Sequence, residues 1–292
     1  MTAAPATSPR PRRPRARISP ERLAAQRGGA IEGLQWLGRT PETRASLLYR
    51  VVRLLARFVL FGLFRFRIQT SGRELLPQGG YLLVGAAHRG WMDPFLVQHA
   101  LPVEPRAWFL GSGPSTFTSR WRETLIRRIG GLLPVWRGGL GVEAHVASAR
   151  AVVGAGGVFV QMPEGTVSGP AGRIGPFRPG AALIAIRTGA TIVPFAMAGT
   201  EELYVGKRMA SRILAPVTIE ELIGPSLNGN MPPAGSREEL QLARRVTDRL
   251  AEIIGPVVEE LQPATVDPPG RRRLMRDRLT WLFMRRGPLD RD

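Results

Sequence analysis

The sequence predicts an α/β fold, a mixed and largely parallel sheet flanked by helices, with one amphipathic helix ahead of it. Three observations lead there. From Tyr81 to Glu221, apolar runs of strand length alternate with stretches of helical periodicity. Alternation of this kind is how strand–helix–strand crossovers build a parallel sheet. The 292 residues are 43% hydrophobic, ordinary for a globular chain and too low for a polytopic membrane protein.

Residues 1–20 are rich in Pro, Arg and Ala, lack an apolar core and are expected to be disordered. They open a basic tail, 1–44, that has no secretory signal pattern. Residues 45–64 follow, A-S-L-L-Y-R-V-V-R-L-L-A-R-F-V-L-F-G-L-F. Arg50, Arg53 and Arg57 fall three and four residues apart, hence on one helical face, and apolar residues cover the rest. Three arginines at the middle of a spanning segment would cost roughly 2.5 to 3.5 kcal/mol each. A helix lying in a membrane interface with its arginines toward the headgroups avoids that cost, and 45–67 is read so. The alternative is an amphipathic helix packed on the core.

Strands are expected over 81–87, 106–110, 132–136, 157–162, 191–196 and 212–219, and helices over 93–101, 118–128, 141–153 and 179–188. The Gly154-Ala155-Gly156-Gly157 run precedes a strand, so it reads as a helix terminus and not as a dinucleotide loop. Residues 236–261 read as an amphipathic helix with Ser236 as N-cap, closing a core domain of 68–262. Pro263, Pro268 and Pro269 mark a linker into a basic amphipathic tail, the whole running over 263–292. That tail suits an interfacial anchor, a partner-binding helix or a frayed end.

The net charge is +18, and it sits at the ends. Residues 1–67 hold 14 Arg against 3 Glu, and 271–292 hold 8 Arg against 3 Asp. The middle is nearly neutral, with 19 basic and 17 acidic residues. No zinc-finger spacing, aromatic RNA-binding block or clear helix-turn-helix is present, which argues against nucleic acid as the partner of this charge. An anionic membrane surface attracts it equally. Cysteine is absent, so disulfides, thiolate metal sites and a cysteine nucleophile are excluded, and a cytoplasmic setting is compatible. No serine elbow, P-loop or metal-ligand spacing occurs, so neither a metal nor another cofactor is expected.

Two stretches carry the chemistry. The first is A-A-H-R-G-W-M-D, Ala86 to Asp93, at the end of the strand run. A turn of this size can fold the Asp93 carboxylate onto the His88 imidazole, holding one ring nitrogen and freeing the other to take a proton. The competing role for Asp93 is a helix N-cap before Pro94. The second is V-F-V-Q-M-P-E-G-T, Val158 to Thr166, again a strand and a turn. Its carboxylate and hydroxyl suit a polyol or phosphate-bearing ligand, unless the turn is ordinary surface.

Together these blocks resemble the glycerolipid acyltransferase family, which includes the lysophosphatidic acid acyltransferases and carries H-x-x-x-x-D followed by P-E-G-T. G-G-L-L-P-V-W-R, ending in Arg137, resembles the family block ending in a phosphate-contacting arginine. T-I-V-P-F, Thr191 to Phe195, resembles its valine-proline block, and G-P-F-R-P-G, Gly175 to Gly180, places Arg178 where a basic residue is usual. The resemblance spans about 60 to 225. It implies that 68–262 is an acyltransferase domain, with His88 as general base and Asp93 its orienter. It also implies that Glu164, Gly165 and Thr166 shape the acceptor pocket, and that Arg137 pairs with acceptor phosphate.

The implied reaction moves a fatty acyl group from acyl-CoA or an acidic acyl carrier protein to a lysophospholipid, most simply 1-acylglycerol-3-phosphate. The implied place is the cytoplasmic face of the cell membrane, peripheral or monotopic. Val167 stands where the family usually has arginine, and Leu-Pro-Val-Trp precedes Arg137 in place of the usual aromatic-aliphatic run. Arg173 or Arg178 is expected to supply the missing charge. Two other classes stay open: a membrane protein on this scaffold with another acceptor or no catalysis, and a nucleic-acid binder using the tails. Arg120, Arg122, Arg127 and Arg128 could receive carrier protein or coenzyme A phosphates, or form a solvated face. His99 and His145, which have no ligand-spaced partner, are read as structural.

Overall fold

The computed structural model describes residues 43–112, 120–135, 141–165, 167, 172–224, 231–268 and 272–282. The expected disordered tail lies outside them. Among the described residues a seven-stranded sheet forms from β1 (Arg67–Ser71), β2 (Tyr81–Ala86), β3 (Ala107–Ser112), β4 (Leu132–Val135), β5 (Val158–Gln161), β6 (Ile192–Ala198) and β7 (Arg208–Ile213). Its order is β1-β7-β6-β2-β5-β3-β4. Every pairing is parallel except β6 with β7. The mixed, largely parallel α/β sheet is therefore as expected.

Helices cover both faces. α1 (Leu47–Arg57) continues as a π-helical turn, Phe58–Leu63. α2 (Asp93–Ala100), α3 (Arg120–Ile129), α4 (Gly141–Gly154), α5 (Gly180–Thr188), α6 (Ile219–Ile223), α7 (Arg237–Leu261) and α8 (Arg276–Thr280) follow in order. All six residues of β2 are buried, and period-two alternation divides them. Leu82, Val84 and Ala86 pack with Val146 and Val152 of α4, Ile184 of α5 and Val246, Leu250 and Ile254 of α7. Tyr81 and Leu83 face the other way, into a cluster with Leu96 and Val97 of α2, Leu60, and Leu279 of α8.

Two strands differ from expectation. β1 was not expected, and β7 starts at 208, not 212. Both are short and carry polar or charged residues: R-I-Q-T-S and R-M-A-S-R-I. β1 is an edge strand, so its alternate residues stay exposed, and Thr70 and Ser211 pair their hydroxyls across it at 2.9 Å. In β7, Arg212 reaches out to Glu260 on α7 at 2.9 Å. Residues 214–218 instead lead into α6 through a capping box between Thr218 and Glu221.

α1 lies the other way up from the sequence reading. Arg53 is 8% exposed and donates to the carbonyls of Gln98, Leu101 and Pro102, at 2.6 Å for Leu101 and 2.9 Å for Pro102. It thereby satisfies the Gln98 carbonyl in the last turn of α2 and those of Leu101 and Pro102 just beyond it. Arg50 pairs with Glu104 at 2.6 Å, and Arg57 stands over the Phe61 ring. Arg53 thus faces the protein, with Arg50 and Arg57 exposed on either side of it. Leu47, Leu54, Leu55, Phe58 and Leu63 face out, 58 to 78% exposed. Among the described residues no helix is long and apolar enough to cross a membrane.

Candidate active site

β2 and β5 run parallel with Val84 beside Gln161. The chain leaving β2 toward His88 and the chain leaving β5 toward Glu164 therefore emerge at the same end of the sheet, where open α/β sheets build their sites.

α2 begins at Asp93 with Met92 as N-cap, so Asp93 does not cap its own helix. Its carboxylate turns back over the preceding turn. One oxygen, Oδ2, accepts from His88 Nδ1 at 2.6 Å, from the Arg89 backbone N–H at 2.6 Å and from the Gly90 N–H at 2.8 Å. Three donors compensate a fully buried carboxylate, a group otherwise costly to remove from water. The turn and the imidazole are thus fixed by a single oxygen. With Nδ1 donating, Nε2 carries the lone pair, and it makes no hydrogen bond among the described residues. The His88 side chain keeps 24% of its surface exposed, so Nε2 is available as a base.

The three histidines are set apart by their surroundings. Burial pushes His99 down to about 4, reinforced by the guanidinium groups of Arg73, Arg57 and Arg53. Burial lowers His145 as well. His88 is also opposed by burial, but the hydrogen bond and charge of Asp93, with Glu164 beyond it, hold its pKa above the usual 6.5. A group raised on folding contributes stability that is complete below pH 6.5 and is lost as pH rises through the folded value. Base catalysis needs the opposite, neutral form. Transfer is therefore expected to rise with pH through an inflection above 6.5, read from a pH profile of kcat/KM. Asp93→Asn should move that inflection down. A wild-type inflection at or below 6.5 would contradict this electrostatic reading.

Glu164 is placed differently from the sequence expectation. Its side chain is wholly buried; Oε1 accepts from the His88 N–H at 3.3 Å and Oε2 lies 3.6 Å from Arg89 Nη1. Arg89 also donates to the carbonyls of His88, at 3.4 Å, and Arg173. The carboxylate therefore joins the two turns to each other. Gly165 follows at φ +67, a conformation that suits glycine, and its N–H donates to Met162 O at 3.0 Å. A Cβ there would lie 3.1 Å from Arg178 Cδ, so the arginine lies against the turn. The Arg178 N–H donates to Pro163 O at 2.8 Å, while its exposed guanidinium makes no hydrogen bond or ion pair among the described residues.

The structure thus gathers His88, Asp93, Glu164, Gly165 and Arg178 at one place. Arg137 and Thr166 lie outside the described residues. Two further residues take part. Arg89 braces both turns, and its signal was a charge beside His88 inside a strand-to-helix turn. Trp91 donates its indole N–H to Leu279 O at 2.8 Å, a contact spanning 188 residues that no local pattern announces. Met92 is fully buried and fills the core.

The sequence model of the family described as Acyltransferase matches residues 67–198, from β1 through β6. Eight chains of solved structures match as well. One is the crystal structure of PlsC, the 1-acyl-sn-glycerophosphate (LPA) acyltransferase of Thermotoga maritima. It is 20% identical with a TM-score of 0.54, covering 75% of this chain and 81% of that one. This second likeness is one of fold. Among curated proteins no sequence matches this chain.

Proposed function

We propose that this chain, whose residues 67–198 match the acyltransferase family model, moves a fatty acyl group from a thioester donor, acyl-CoA or acyl carrier protein, to the hydroxyl of a lysophospholipid, with 1-acylglycerol-3-phosphate as the acceptor. The observation that carries this reading is the 2.6 Å contact of His88 Nδ1 with Asp93, which leaves Nε2 without a hydrogen-bond partner among the described residues.

The reaction needs no covalent enzyme intermediate. His88 Nε2 takes the proton of the acceptor hydroxyl as the oxygen attacks the thioester carbonyl. Asp93 holds the imidazole in the required tautomer and stabilises the imidazolium. The tetrahedral intermediate then collapses, the C–S bond breaks, and the leaving thiolate takes the proton from His88. Arg178 meets the acceptor phosphate from the rim of the P-E-G turn, a charge-assisted contact of the kind that fixes phosphate esters. It supplies the cation that Val167, 41% exposed, does not.

The protein works from an anionic membrane surface at the cytoplasmic leaflet, where acyl thioesters and acidic headgroups meet. α1 docks there through its outward apolar face, while its arginines hold it to the protein. Side chains such as Leu47, Leu54 and Phe58 are 66 to 78% exposed along one helix, a continuous apolar surface that a bilayer covers.

The test is thiol release from acyl-CoA and from acyl carrier protein with 1-acylglycerol-3-phosphate, set against acceptors lacking phosphate. Arg178→Ala is expected to raise KM for the phosphate-bearing acceptor by about tenfold or more, the effect of one lost charged hydrogen bond, with little change toward the neutral ones. Equal turnover of all acceptors by the wild type, or an unchanged KM in the variant, would remove phosphate from the reading.

A further inference from the structure

Residues 272–282 lie outside the segment matched by the family, yet they are fastened to the His88–Asp93 turn. Val205 N–H donates to Leu274 O at 3.0 Å, Leu203 N–H to Thr280 Oγ1 at 3.0 Å, and the Trp91 indole to Leu279 O at 2.8 Å. Leu279 is 2% exposed, inserted in the cluster that holds Met92, Leu96 and Phe66. The inner side of this strap is therefore ordinary core packing.

Its outer side is not. Leu274 is 59% exposed, and Met275 and Leu282 are 48% exposed each. Arg273 and Arg276 share Glu202 at 2.9 and 2.7 Å. Arg272 and Arg278 are exposed and make no ion pair among the described residues. The strap also adjoins the end of α1. Gly206 N–H donates to Phe64 O at 2.8 Å, and the neighbouring Val205 carries Leu274. The strap is thus linked through Val205 and Gly206 to the end of the helical segment that carries Phe58 and Leu63, 70% and 65% exposed. Apolar residues interspersed with unpaired arginines, tied to the end of a helical segment already read as membrane-docking, match the chemistry of an anionic bilayer.

We propose that residues 272–282 form a second membrane contact, docking on the anionic phospholipid surface that α1 also meets. The inference rests on that reading of α1. It gives the H-x-x-x-x-D turn a support that lies between it and the lipid.

The experiment is co-sedimentation of the full chain with phosphatidylcholine vesicles containing phosphatidylglycerol. Each unpaired arginine near such a surface strengthens partition about fivefold. The variant Arg272→Gln/Arg278→Gln/Leu274→Ser/Leu282→Ser is expected to partition at least about twentyfold more weakly than the wild type. All four side chains are exposed, so its melting temperature and its turnover of a detergent-dispersed acceptor should stay as in the wild type. A second variant, Leu54→Ser/Phe58→Ser, separates the two readings. If it loses partition and the strap variant keeps it, the strap proposal is overturned and α1 docking stands. If both variants bind vesicles as the wild type does, both fall. A strap variant weakened equally on pure phosphatidylcholine would overturn the choice of an anionic surface.

Discussion

His88→Ala is expected to lower the rate of acyl transfer by about 10² to 10⁴, the contribution of one positioned general base, while the protein still folds. The second half of that expectation comes from the geometry around Asp93. Removing the imidazole takes one donor from Oδ2 but leaves the Arg89 and Gly90 N–H groups at 2.6 and 2.8 Å. The buried carboxylate stays hydrogen-bonded, and His88 itself is partly exposed, so the loss of stability should be only about 1 to 2 kcal/mol. Thiol-release kinetics with a thermal melt of the same preparation check both parts. Wild-type turnover by the variant would refute the assignment of the base; a variant that fails to fold would mean that His88 holds the turn as well.

Glu164→Ala is expected to act through the fold, with a large loss of stability. It removes a wholly buried carboxylate that accepts from the His88 N–H and balances the buried Arg89. Taking one member from a buried charge pair typically costs about 3 to 5 kcal/mol, because the other charge stays desolvated. Transfer should fall with it, since the same carboxylate ties the two turns together. Glu164→Gln keeps an oxygen for the His88 N–H and loses the charge, so it should fall between. Denaturant unfolding and acceptor KM together decide the matter. A direct acceptor contact predicts a raised KM with stability unchanged; a bracing role predicts lost stability and lower kcat with KM nearly constant. The first pattern would overturn the bracing role.

What was legible in the sequence follows physical lines. β2, β5 and β6 are buried on both faces, so their apolar runs announced them. β1 and the start of β7 did not show, because an edge strand and a strand whose arginine reaches a surface helix carry polar residues that break the pattern. His88 and Asp93 were readable because five positions separate them and one turn joins them. The inward turn of Glu164 was not, since its partners lie 75 and 76 positions away and residue type alone does not tell a pocket carboxylate from a buried brace. The helical spacing of Arg50, Arg53 and Arg57 correctly placed them on one face. Periodicity is silent on which side of a helix meets the protein, and the carbonyls at the end of α2 decided it.

The indole of Trp91 bonding to Leu279 has a consequence for anyone who would move this chemistry between relatives. The stretch matched by the family model ends at Ala198, but the turn bearing His88 leans on a backbone carbonyl 81 residues past that point. A graft of residues 67–198 into a foreign host would import the histidine and aspartate without β7, α7 or the strap. Chimeras should therefore exchange the matched stretch and its distal brace as one unit.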